Sequence, residues 1–104
     1  MILLTDYKKR EIRFTFERIR HMEDNHPEMR GQAGKIKEAL LLPDCIIASK
    51  SDPLIEMFYK YYGSTPIKEK YLCVVVKFKD GDNFIITAYF TDTIKTGVQL
   101  WKKK

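Results

Sequence analysis

His21 and His26 are the only histidines in the chain, and imidazole is the side chain whose unperturbed proton affinity lies near neutral pH. They are therefore the natural acid/base candidates. Their five-residue spacing does not stack them on one helical face, and no cysteine stands close by, so the i, i+4 arrangement of a zinc-binding helix is missing. His26 directly precedes Pro27, a position where histidine also serves simply to stop or cap a helix. A second set of polar groups interrupts two apolar stretches: Lys77 in the first, Thr87 and Tyr89 in the second. Cleaving RNA without a metal needs a base for the 2′-hydroxyl, an acid for the leaving oxygen, and a cation beside the phosphate. His, Tyr, Thr and Lys suit those tasks. Lys50 and Tyr59 have two readings, a solvated turn lysine and a sheet tyrosine, or a phosphate ligand and a base-stacking or proton-donating group.

Other catalytic signatures are absent from the sequence. It has no Gly-Lys-Ser/Thr phosphate loop, no Gly-x-Ser-x-Gly elbow and no paired zinc cysteines. Asp80 and Asp82 fit a turn better than a magnesium site, since few other oxygen ligands surround them. Cys45 and Cys73 each lie in an apolar run and read as buried free thiols. No metal or cofactor is expected.

These residues must be positioned by the elements that carry them. Thr15 is a reasonable N-cap for a helix over 16–24, which Asn25-His26-Pro27 stops. Before it, Glu11 to Phe16 alternate polar and apolar, as in a short strand or extended lead-in. Met29, Ala33, Ile36 and Leu40 then recur at helical spacing despite Gly31 and Gly34, and Pro43 ends that helix. Cys45-Ile46-Ile47 begins a short strand. Residues 54–62, 71–79 and 84–91 read as three more, with loops at 49–53 and 63–66 and a hairpin signal at 80–83. Residues 93–101 read as a last turn that lays Trp101 over an end of the core. The expected fold is α+β, with two N-terminal helices packed on one face of a three- to four-stranded antiparallel sheet.

Strand parity says more about the candidate site. Leu72, Val74, Val76 and Phe78 share one face and Tyr71, Cys73, Val75, Lys77 and Lys79 the other. In the next strand Phe84, Ile86, Ala88 and Phe90 are apolar, opposite Ile85, Thr87, Tyr89 and Thr91. A two-residue turn at Asp80-Gly81 would pair Lys77 with Phe84 and set a charge among the apolar residues. A three-residue loop would pair Lys77 with Ile85, Val75 with Thr87 and Cys73 with Tyr89, so an odd loop or a bulge is expected. Lys77, Thr87 and Tyr89 would then lie together on the side away from the main core. Such residues are also ordinary occupants of a solvated sheet face.

The chain of 104 residues is long enough for one hydrophobic core, and residues 1–104 are read as a single domain. With 44% hydrophobic and 32% charged residues it is a globular rather than a disordered composition. Its formal charge of +5 favours polyanions if gathered on one face. No stretch approaches the roughly 20 apolar residues that cross a bilayer, and Asp6 and Lys8 follow Met1-Ile2-Leu3-Leu4 too soon for a signal peptide, so a cytoplasmic setting without membrane contact is expected.

The succession His26-Pro27-Glu28-Met29, Ile36-Lys37-Glu38-Ala39-Leu40 to Pro43-Asp44, Ser49 to Asp52-Pro53, Tyr59-Lys60-Tyr61-Tyr62, Lys70 to Lys77 and Thr87-Ala88-Tyr89 covers nearly the whole chain. It resembles the phage-associated barnase/EndoU/colicin/RelE-like nucleases, whose plan is N-terminal helices followed by a four-stranded antiparallel sheet. The resemblance implies a metal-independent endoribonuclease, a toxin or phage-defence effector, with RNA as substrate and an antitoxin or immunity protein as partner. It places His26, Lys77, Thr87 and Tyr89 at matching motif positions. His26 is then the acid/base, Lys77 the phosphate ligand, and Thr87 and Tyr89 hydrogen-bond donors or proton carriers, with His21, Lys50 and Tyr59 in support. Fold kinship does not establish a reaction, and a non-catalytic module binding nucleic acid or protein through the same surface is the alternative.

Overall fold

The computed structural model describes residues 1–63, 65 and 68–104. Among these the chain forms strands β1 (Ile2–Thr5) and β2 (Glu11–Phe14), helix α1 (Phe16–Asn25), a short 3-10 helix (Pro27–Met29) and helix α2 (Ala33–Leu41). Strands β3 (Cys45–Ala48), β4 (Ile55–Tyr61), β5 (Tyr71–Lys79), β6 (Asp82–Thr91) and β7 (Val98–Lys102) follow. All seven strands join one sheet in the order β1-β2-β6-β5-β4-β3-β7. Every pairing is antiparallel except β2 with β6, which is parallel and meets only at Arg13 and Phe84. Ser64 and Pro66 of the expected 63–66 loop lie outside the described residues.

This corrects the expected three- to four-stranded antiparallel sheet with two N-terminal helices: the sheet is seven-stranded and mixed, and a β-hairpin precedes the helices. The difference lies at the two edges. β1 is apolar without alternation and its residues are mostly exposed, so no period-two signal marks it. β7 forms where a turn was expected, and it belongs to the sheet only because the preceding chain carries it to β3. The second helix also starts late. Gly31 adopts φ 78°, a left-handed conformation that separates the 3-10 turn from α2.

Thr15 caps α1, its hydroxyl accepting from the Arg18 N–H at 3.2 Å. Met22 of α1, Met29, and Ile36, Ala39 and Leu40 of α2 pack with Ile46, Phe58, Leu72, Val74, Val76, Ala88 and Phe90, forming the main core on one sheet face. A smaller cluster of Cys45, Ile47, Met57, Tyr59 and Cys73 lies on the other, with Tyr71, Val75 and Tyr89 half-buried against it.

The β5/β6 hairpin turns on two residues, Asp80 (φ 50°) and Gly81 (φ 79°), with Lys79 opposite Asp82 and Lys77 opposite Phe84. Both positive φ angles suit the tight turn that matches strand twist. The parity conflict is relieved by a bulge: the register shifts between Val75 and Val76, so Val76 faces Ile85 while Val75 faces Thr87, and Ile86 is the extra residue. Ile85 rather than Ile86 therefore enters the main core, and Thr87 and Tyr89 keep the side of Val75 and Cys73.

Residues 92–97 connect β6 to β7 over that second face. The two strands are four spacings apart in the sheet, about 19 Å, and the seven residue steps from Thr91 to Val98 reach about 25 Å fully extended. The connection is a strap without helix or strand. The backbone N–H of Lys95 donates to the Tyr59 hydroxyl at 3.1 Å, and Gly97 passes so close to Ala48 and Ile47 that a Cβ there would sit 2.7 Å from Ile47 Cγ2.

Candidate active site

Register aligns the open face into rows across the sheet. Ile47, Met57, Val75 and Thr87 form one row, Cys45, Tyr59, Cys73 and Tyr89 the next, and Tyr61, Tyr71 and Thr91 the last. Successive rows are two residues apart along the strands, about 7 Å. A cleft of about 450 Å³ lies over the first two rows, with Thr87 and Tyr89 on its floor and Lys50, Ser49, Ser51 and Lys95 around it.

His26 reaches this face from the far side of β6. Because β2 meets β6 only at Phe84, the edge of β6 beyond that point has no strand partner among the described residues, and α1 and the 3-10 helix pack there instead. His26 is the residue between those two helices, its backbone N–H bonded to Met22 O at 2.7 Å. Its ring stacks on Tyr89, with centroids 5.3 Å apart and planes inclined by 29°. Nδ1 stands 3.8 Å from a Glu28 carboxylate oxygen.

Burial, and then the neighbouring Cys73, push the Tyr89 phenol above its ordinary value, so it stays protonated and can donate but does not serve as a base near neutrality. Cys73 beneath it is fully buried, and burial raises its thiol to about 11. That thiol is not an available nucleophile.

The remaining candidates divide. Thr87 and Lys50 line the cleft with Tyr89. Lys77 is on the same face but its Nζ is held by Asp52 at 3.0 Å. The hydrogen bond from Lys77, with a second from the Leu54 N–H, lowers the Asp52 carboxyl, and the pair spends the lysine's charge locally. Tyr59 is fully buried, and its hydroxyl is engaged by the strap, so it cannot stack a base. His21 sits on the exposed side of α1 beside Asn25 and does not line the cleft.

Lys95 was not singled out from the sequence. It lies in the strap read as a terminal turn, and nothing in Thr93-Ile94-Lys95-Thr96 signals that the segment crosses the sheet. Lys50 and Lys95 have no carboxylate partner among the described residues and are the cations the cleft offers. Among the described residues no three His, Cys, Asp or Glu side chains are grouped to share a metal ion, and no helix is long and apolar enough to cross a membrane. Compared with family models, curated proteins and solved structures, the chain matches none.

Proposed function

We propose that the chain is an endoribonuclease that cleaves RNA through attack by the substrate's own 2′-hydroxyl, without a metal, in the cleft over Thr87 and Tyr89. The observation that carries this reading is the His26 ring stacked on Tyr89, which sets an imidazole against a phenol that lines the cleft, His26 itself lying outside that lining. His26 takes the 2′-hydroxyl proton, the oxygen bonds to phosphorus, the P–O5′ bond breaks, and Tyr89 gives its phenolic proton to the departing O5′. Products are a 2′,3′-cyclic phosphate and a 5′-hydroxyl end. His26 then releases its proton to water and Tyr89 regains one. Lys50 and Lys95 stabilise the growing phosphate charge and Thr87 donates to a non-bridging oxygen. Lys77 is a weaker choice for the cation because Asp52 holds it.

An activity of this kind on cytoplasmic RNA suits a toxin or phage-defence effector restrained by an antitoxin or immunity protein. The second reading is a non-catalytic nucleic-acid-binding module. It is favoured by the pairing of Lys77 with Asp52 and by the half-buried Tyr89, since binding needs only the cations at the rim. End analysis separates the two: RNA incubated with the protein should yield cyclic-phosphate ends and resist cutting where the 2′-hydroxyl is absent. Salt-sensitive binding without product would establish the module instead.

A further inference from the structure

The strap divides the open face, and beyond it lies a second cleft of about 510 Å³ at the Tyr61/Tyr71 row. Its floor is aromatic. Tyr61 is 53% exposed and meets Tyr71 edge-on, with centroids 5.8 Å apart. Lys60, Lys102 and Lys103 line it against a single carboxylate, Asp44. That carboxylate is already engaged by the Tyr61 backbone N–H and stands 4.0 Å from Lys103 Nζ. Ile94 of the strap forms part of the wall, so the cleft abuts the first one across a single extended segment.

An exposed aromatic ring beside surplus lysines fits one chemistry well. The ring offers a face to an unpaired base, and the lysines meet the phosphates on either side of it. A duplex cannot use such a ring, because its bases are stacked on one another. We infer that this second cleft is a single-stranded RNA subsite, with a base stacked on Tyr61 and its backbone held by Lys102 and Lys103. The inference rests on the reading of this sheet face as an RNA surface but not on cleavage there. In it the strand continues from the first cleft past Ile94, one row, about 7 Å, along the sheet.

The test is a fluorescence-anisotropy titration of the whole chain with a labelled single-stranded oligouridylate in EDTA. Tyr61→Ala should weaken binding roughly tenfold, as loss of one stacked base does, while Tyr61→Phe should stay close to wild type. Lys102→Ala should weaken it more than Lys37→Ala, which removes the same charge from exposed α2 surface. Unchanged affinity for Tyr61→Ala, equal losses for Lys102→Ala and Lys37→Ala, or no binding by the wild type would overturn the inference. Binding that depends on Tyr61 with no cleavage would leave the subsite standing and remove the nuclease. Cleavage with Tyr61-independent binding would do the reverse.

Discussion

The buried phenol of Tyr59 accepts a hydrogen bond from the backbone N–H of Lys95, at 3.1 Å, and this bond ties the strap to the middle of the sheet. Removing the hydroxyl leaves a partly buried amide without its partner, at a cost of about 1 kcal/mol. Tyr59→Phe is therefore expected to lower the urea midpoint modestly and to weaken RNA binding, because Lys95 loses its fixed place at the cleft. Gly97→Val should do both more strongly, since its side chain would collide with the Ala48 backbone and Ile47. Wild-type RNA affinity in either variant would show that the strap does not position the cleft.

The pair of Lys77 with Asp52 makes a different prediction for each of its members. Lys77→Ala should change RNA affinity little, because Asp52 already offsets its charge at 3.0 Å. Asp52→Asn should strengthen binding by freeing the lysine, most clearly at low salt. Anisotropy titrations at two salt concentrations read both. A large loss in Lys77→Ala would return Lys77 to the role of phosphate ligand.

Stability should fall in alkali. The Cys73 thiol has an ordinary value of 9.0 and is raised to about 11 by burial, so the folded state favours the neutral form. This contribution is intact below pH 9 and is lost as pH rises from about 9 to about 11, on the order of 2 to 3 kcal/mol in all. Tyr59 and Tyr89, both raised mainly by burial, act in the same direction above their ordinary 10.0. Urea midpoints at pH 8 and pH 10.5 should differ, and Cys73→Val should narrow the difference. Equal midpoints would mean that the thiol ionises as freely folded as unfolded.

Away from the site, Asp6 is buried in the β1–β2 connection and accepts from the Lys8 and Arg10 N–H groups at 3.0 and 2.9 Å and from Arg10 Nε at 2.7 Å. The same guanidinium reaches Glu56 of β4 and lies 3.8 Å from the Phe78 ring centroid. Arg10→Met would strand a buried carboxylate, and about 3 to 5 kcal/mol of stability should go with it. The double variant Arg10→Met/Asp6→Asn should recover part of that loss in a urea titration. No recovery would place the loss in the contact with Glu56 and Phe78.

What could be read from the sequence was what neighbouring residues specify. Thr15 as a cap, the strand character of 71–79 and the hairpin signal at 80–83 are all local, although the turn takes two residues where a three-residue loop was one expectation. Parity at Lys77 required an odd loop or a bulge, and the bulge at Ile86 is what the chain uses. The sheet's extent was hidden because β1 and β7 are edge strands with mostly exposed side chains and no alternation. The site was legible as residue types but not as geometry. That His26 meets Tyr89 depends on β2 leaving the β6 edge open, and that Lys77 is neutralised depends on Asp52 lying beside it after folding. Both are contacts between distant parts of the chain, which no periodicity records.

The central claim is that His26 carries a proton in RNA cleavage. The direct measurement is the single-turnover cleavage rate of an RNA pool in excess EDTA, wild type against His26→Ala of matching circular dichroism. The wild type should cut, and the variant should lose roughly 10²- to 10⁴-fold in rate, the usual contribution of a positioned acid or base. Equal rates for the two proteins, or no cutting by the wild type, would contradict it.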